Sequence, residues 1–204
     1  MAVIDLHPGA GAARRRAVAL LALSLAALCV LFGVTSSASA ARGGCPGASR
    51  PVTSADHSAA ERAVVCLINR ERTERGLPRL TVSVKLDRSA QRWTDAMVDT
   101  GRFSHGTAFM DRISAVGVDW ATVGENIATG YPTPEAVVRA WMHSPGHCAN
   151  ILSPAYREVG TGMADRAIPG ASNVGGTWTQ DFARLTGQPA PSADTRPAEA
   201  CYRS

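Results

Sequence analysis

Between Gly124 and Pro154 the chain gathers a carboxylate (Glu125), an amide (Asn126), a tryptophan (Trp141) and two imidazoles (His143, His147). A further imidazole, His105, lies upstream between a hydroxyl (Ser104) and a glycine (Gly106). Glycines and prolines hold these groups at the ends of elements, where binding and catalytic groups usually sit. His105, Glu125 and His147 could supply two neutral imidazoles and a carboxylate to zinc or another divalent cation, leaving a position for water, which is the donor set of a metal-assisted hydrolase. Ser104 or Ser144 with a histidine and Glu125 would instead make a serine hydrolase, given an oxyanion hole. No Gly-x-Ser-x-Gly elbow, His-Glu-x-x-His helix, phosphate loop or dinucleotide fingerprint is present, which removes the commonest enzyme classes. His57 and His143 read as surface residues. Asn126 and Gln180 read as hydrogen-bonding the sheet edge, with Asn126 and Ser144 bordering the cleft.

These groups need elements to position them. A helix is expected from Ser58 to about Arg75, opened by the capping box Ser58-Ala59-Ala60-Glu61. Val64, Leu67 and Ile68 would form its apolar stripe, with Gly76 and Pro78 as its stop. Arg70, Arg72, Arg75 and Arg79, interrupted by Glu71 and Glu74, read as a solvated helix face, with Glu71 and Arg75 a favourable pair one turn apart. A second helix from Leu86 to Thr100 turns Leu86, Ala90, Trp93 and Met97 to the core and stops at Gly101. A short helix from Phe109 to Val116 follows. Thr122 to Gly130 reads as a strand carrying Glu125, where a half-buried carboxylate needs a cation or a hydrogen-bond donor. Thr133-Pro134-Glu135 starts another helix, with Val137, Val138, Trp141 and Met142 inward. Ser144-Pro145-Gly146 would end it and leave His147 on a turn. Val159 to Ala164 and Asn173 to Ala183 read as strands, the second with Trp178, Gln180 and Phe182 buried and Thr177, Thr179 and Asp181 on a polar face. Helices followed by strands indicate an α+β fold with helices packed on a small sheet.

Of the 204 residues, the first forty read as an export signal. Arg14 to Arg16 precede an uncharged apolar run from Ala17 to Val34, and Ala38-Ser39-Ala40 gives the small-x-small cleavage pattern. Leu28 stands before Cys29, where a lipoprotein signal wants a small residue. Domain organisation follows: 1–40 signal peptide, 41–57 flexible lead-in, 58–185 folded domain, 186–204 loose tail tethered through Cys201. Without Asp5 and the three arginines, the formal charge falls from +4 to about +2. With no basic block, nucleic acid is not an expected partner. Cys45, Cys66, Cys148 and Cys201 remain, an even number in an exported chain, and so two disulfides are expected. Three pairings are open. Position in the chain favours Cys45–Cys201 and Cys66–Cys148.

The segments Leu67-Ile68-Asn69 with Arg72, Phe103-Ser104-His105, Gly124-Glu125-Asn126-Ile127-Ala128, Trp141-Met142 with Ser144-Pro145-Gly146-His147, Asn150-Ile151-Leu152, Val159-Gly160 and Trp178-Thr179-Gln180 occur in one order. That set resembles the bacterial branch of the CAP superfamily (cysteine-rich secretory, antigen-5 and pathogenesis-related proteins, also called SCP-like). The resemblance implies an α-β-α sandwich with a small central antiparallel sheet flanked by helices. It also implies a cleft lined by two histidines and two acids, which holds a divalent metal in some members. His105 and Glu125 match two of those positions. The other acid falls at Ser144 and the other histidine at Thr177, so the tetrad is incomplete, and His147 belongs to the bacterial pattern. The function implied is a secreted, monomeric protein without a membrane span after cleavage. Its cleft would bind a small apolar, glycan or peptide ligand outside the cell or at the envelope. The alternative is the divalent-metal-assisted, protease-like hydrolase.

Overall fold

The structure is a computed structural model that describes residues 44–171, 175–192 and 201–202. The signal segment 1–40 lies outside the described residues. Helix α1 (His57–Glu74) opens the fold, followed by strand β1 (Thr81–Val82), helix α2 (Val84–Thr100) and helix α3 (Phe109–Ala115). Strand β2 (Trp120–Tyr131), helices α4 (Pro134–His143) and α5 (Pro145–Ile151), and strands β3 (Glu158–Ala164) and β4 (Gly176–Leu185) complete it.

The four strands form one sheet in the order β1-β3-β4-β2. The pairs β2–β4 and β3–β4 are antiparallel. The short β1, not anticipated from the sequence, adds to β3 in parallel. One face of the sheet presents Val159, Met163, Trp178 and Phe182 to a core built with α1, α4 and α5. The other presents Ile127, Ala164 and Ala183 to Leu86, Met97, Val98 and Ile113 of α2 and α3. Helices therefore cover both faces, as the expected α+β sandwich requires.

Strand β4 is the centre of this arrangement, and the half-polar reading of it does not hold. Every residue from Gly176 to Ala183 is buried, because α2 covers the face that carries Thr177, Thr179 and Asp181. Thr94 of α2 meets Thr179, hydroxyl to hydroxyl, at 2.8 Å. On β3, Gly160 and Gly162 let α2 lie backbone against backbone. A Cβ on Gly160 would sit 2.1 Å from the Leu86 carbonyl carbon, and one on Gly162 2.3 Å from the Gln91 nitrogen.

Several local expectations are corrected. The capping box at Ser58 is not made: α1 begins at His57 after Asp56, with no side-chain cap. The arginine run is solvated, as expected, only at Arg70, Glu74 and Arg79. Glu71, Arg72 and Arg75 are all buried. Arg75 bonds Glu71 at 2.7 Å, and Arg72 donates to the carbonyls of Pro78, Ile151 and Ser153, each at 2.8 Å. Asn69 exchanges two hydrogen bonds with the backbone of Leu80, which fixes the return from α1 into β1. At α4 the expected start is found, with the Thr133 hydroxyl accepting from the Ala136 amide at 3.0 Å. Its expected stop is also a start: Ser144 is the N-cap residue of α5 and Pro145 its first residue, so His147 lies inside a helix rather than on a turn. Proline at the first helical position loses no hydrogen bond, which is why Ser-Pro-Gly reads as a break yet opens a helix.

The disulfide pairing favoured by chain position is also overturned. The bonds are Cys45–Cys66 and Cys148–Cys201. Each chain end is stapled to a nearby helix, not to the other end. The segment read as a flexible lead-in is pinned from Cys45 onward, since the Ala48 carbonyl accepts from Glu135 and the Val52 amide donates to Pro132. Tyr202, beyond the second disulfide, donates its hydroxyl to Glu71 at 2.6 Å and its amide to the Met142 carbonyl.

Candidate functional site

Glu125 lies mid-strand on β2, with its side chain 2% exposed. Its two oxygens have separate partners: Oε1 contacts His105 Nδ1 at 2.7 Å, and Oε2 accepts from Arg112 at 2.6 Å. This is the donor-and-cation environment that a buried carboxylate needs. Arg112, from α3, also donates to the His105 carbonyl at 3.0 Å. Its guanidinium lies 3.7 Å from the ring centroid of Trp93, a cation over an aromatic face. The Trp93 indole in turn donates to the Ser104 carbonyl at 3.0 Å. The loop bearing His105 is thus tied to α2 and α3, although the His105 side chain is 52% exposed.

Charge follows from these contacts. Burial, and then the Arg112 charge, hold the His105 imidazole below its ordinary pKa. Burial raises Glu125, opposed by Arg112. An ionised Glu125 can only accept, so a neutral His105 carries its hydrogen on Nδ1 and turns Nε2 away from the carboxylate. Replacing Arg112 by methionine should raise the His105 titration midpoint, followed by NMR of the ring. It should also cost about 1–3 kcal/mol of stability, because a hydrogen bond to a charged group is lost.

His147 stands on α5 with Nδ1 2.9 Å from the Ser144 hydroxyl, three residues earlier in the same helical turn. Burial, and then the proximity of His105, lower its pKa. The two imidazoles therefore share a neighbourhood in which protonating one opposes protonating the other. Asn126 is fully buried and lines nothing, a correction to its place at the cleft. It donates to the His147 carbonyl and to Gln180, and accepts from Asn150, which also donates to the Glu125 carbonyl. This amide network holds α5 against the edge of the sheet.

Beside the imidazoles runs a groove of about 320 Å³ between β2 and α4. Ile127, Ala128, Thr129 and Tyr131 form one wall, and Ala140, Trp141, Ser144 and His147 the other, with Phe103 at the rim. Phe103 is half exposed rather than anchored in the core. Strand β2 is a sheet edge here, yet three of its carbonyls are already taken at the period of a strand. Tyr156 donates to Val123, Asn150 to Glu125 and Trp141 to Ile127.

Both oxygens of Glu125 are already engaged, one by His105 and one by the Arg112 guanidinium, so the carboxylate would have to give up a partner to bind a divalent cation. Among the described residues no group of three or more His, Cys, Asp and Glu side chains is disposed to hold a metal. The structure brings His105 and Glu125 into contact, sets His147 and Ser144 nearby on the groove wall, and leaves Asn126 inside.

Sequence reasoning missed Arg112, Trp93, Asn150 and Asp181. Asp181 is the cross-strand partner of Glu125. Its signal was the one charge between Gly176 and Ala183, flanked by Gln180 and Phe182.

This fold, its paired histidine and glutamate, and the Ser-Pro-Gly-His helix start define a recognisable class. The model of the Cysteine-rich secretory protein family, CAP, matches residues 65–182, and the chain belongs to that family. It is similar to a Bacillus subtilis protein described as Uncharacterized protein YkwD, at 40% identity over 130 residues, covering 61% of this chain and 47% of that protein. The chain thus spans about half the length of this relative. Among solved structures, it resembles an extracellular protein containing a SCP domain from Bacillus anthracis, with TM-score 0.57 and 25% identity over 66% of this chain and 44% of that one. An outer surface protein from Borrelia burgdorferi shares the fold, with TM-score 0.54 and 19% identity over 60% of this chain and 90% of that one.

Proposed function

We propose that this CAP-domain protein is exported and binds a small apolar ligand in the groove between β2 and α4, with Ser144 and His147 at its polar end and His105 beside His147. The observation that carries this reading is the groove itself. Its volume is at the lower end of the range of small-molecule sites, and its lining is mainly apolar and aromatic with a few polar groups at one side. The capped carbonyls of Val123, Glu125 and Ile127 weigh against a peptide that adds as a strand, since such a peptide needs free edge groups. Ligand binding is favoured over catalysis because both oxygens of Glu125 are engaged and Arg112 neutralises it. Two disulfides and the N-terminal signal pattern support export. No helix among the described residues is long and apolar enough to cross a membrane.

The test is a fluorescence titration of the oxidised protein, reading Trp141 in the groove wall, against octanoate, a chitin oligosaccharide and a short peptide. Saturable binding of octanoate alone is expected. Ala140→Trp, which fills the groove from α4, should weaken it at least about tenfold, equal to about 1.4 kcal/mol. Octanoate binding that ignores Ala140→Trp, or selective binding of the sugar or the peptide, would sink the reading.

A further inference from the structure

The site holds a second buried acid that the His105–Glu125 contact does not explain. Asp181 lies on β4 directly across from Glu125 and is 1% exposed. Its neighbour on the other side, Gly160 of β3, has no side chain to offer. Neither carboxylate oxygen of Asp181 completes a hydrogen bond of full geometry, and nor does the buried Ser89 hydroxyl of α2. Ser89 and Glu125 nonetheless lie close enough to Asp181 to influence its titration. The charged and titratable groups around Asp181 are Glu125 from β2, Arg112 from α3 and His105 from the preceding loop, while α2 contributes the uncharged Ser89.

Arg112 is one cation for two carboxylates, and its bonds go to Glu125 and to the His105 carbonyl. Two ionised carboxylates facing each other in a dry interior repel strongly. As carboxylates they have no hydrogen to share. A single proton converts the repulsion into a short O–H···O⁻ hydrogen bond. We propose that Asp181 is carried as the neutral acid, donating its O–H to Glu125, and so fixes the carboxylate against which the His105 ring is aimed. Burial, and then the Glu125 charge, push Asp181 up to about 8. Asp181 touches no groove ligand. It is a positioning residue acting through Glu125, and its role holds whatever the groove binds.

The sign of the pH dependence follows. The folded pKa of Asp181 is raised above its ordinary 3.8, so its contribution to stability is complete below that value and is lost as pH rises toward about 8. Asp181→Asn keeps a neutral donor with the same shape but cannot ionise. Urea unfolding of the full oxidised chain should give a difference between variant and wild type that moves steadily in favour of asparagine from about pH 4 to about pH 8, then levels. The slope of the difference decides, even if asparagine carries a constant packing penalty. A difference that is flat, or that moves against asparagine with pH, would mean Asp181 is an anion and overturn the proposal. The second readout is the downfield Nδ1–H proton of His105 in NMR spectra at neutral pH. It should persist in Asp181→Asn and vanish in the folded Asp181→Leu. Loss in the asparagine variant, or persistence in the leucine variant, would overturn the positioning role.

Discussion

Gly160→Ala should destabilise the protein by about 3 kcal/mol or more, the upper end of what overpacking costs. The added Cβ would lie 2.1 Å from the Leu86 carbonyl carbon and 2.2 Å from the Asp87 nitrogen. These are backbone atoms of α2, so no side chain can rotate to make room. The helix must lift from β3 as a body. Lifting it would strain two side-chain contacts that close the upper edge of the strand. Asp87 accepts from the Thr161 amide, and Gln91 accepts from the Met163 amide, both at 2.9 Å. It would also disturb the face that carries Asp181. Gly146→Ala is the matched control, because its Cβ meets nothing within 4 Å and the residue sits in α5. That change should be neutral or stabilise by up to about 1 kcal/mol through helix propensity. Urea unfolding midpoints of the two variants check both values. Comparable midpoints would show that α2 is free to move.

Arg72→Met should cost about 3–5 kcal/mol, the scale on which a buried charged network is broken. The guanidinium is wholly buried and joins the carbonyl of Pro78, just after its own helix, to those of Ile151 and Ser153 about eighty residues on. Its charge has no carboxylate partner among these contacts. Burial, with the neighbouring Arg157 charge adding to it, lowers its pKa to about 10. Methionine restores the apolar stem but leaves the carbonyls of Pro78, Ile151 and Ser153 without their donor, and each unsatisfied buried group is costly. Lysine should recover only part of the loss, since a single ammonium cannot reproduce a planar fork directed at three acceptors. The check is the unfolding free energy of the three proteins at neutral pH. Methionine within about 1 kcal/mol of arginine would contradict the argument.

How far the sequence revealed these features depends on whether local rules or tertiary contacts decide them. Thr133-Pro134-Glu135 carries its own cap and initiating residue, and α4 begins there. Gly101 adopts the left-handed conformation at the end of α2, as its place in the pattern implied. Arg72 and Arg75 read as surface because alternating arginine and glutamate usually mean solvent. What buries them is the loop after α5 and Tyr202 near the chain end, neither of which a window on α1 can contain. Trp93 read as core and is in fact half-buried, because Arg112 takes its outer face. His105 and Glu125 were legible as chemical groups from their types and positions, and as cleft partners through the family pattern. Asp181 was not, because alternation in β4 suggested one wet face, and the covering helix α2 lies far away in sequence. The two disulfides expected from the four cysteines are present, but their pairing failed for a related reason: which cysteines meet is a fact of the fold, not of chain position.

The pairing of the cysteines sets how the protein would carry mechanical load. Cys45 is bonded to Cys66 and Cys148 to Cys201. A pull on the two chain ends therefore enters at Cys66 and leaves at Cys148, bypassing everything enclosed by the two loops. Strands β3 and β4 lie inside the second loop and bear no tension through their own backbone. The force falls instead on the stretch from α1 to α5, whose strands β1 and β2 are joined to the sheltered β3 and β4 through the sheet. Oxidised, the part between Cys45 and Cys201 can extend only by the chain from Cys66 to Cys148. Reduced, it releases the hidden loops as well, so cystine chemistry sets the length of this protein under tension.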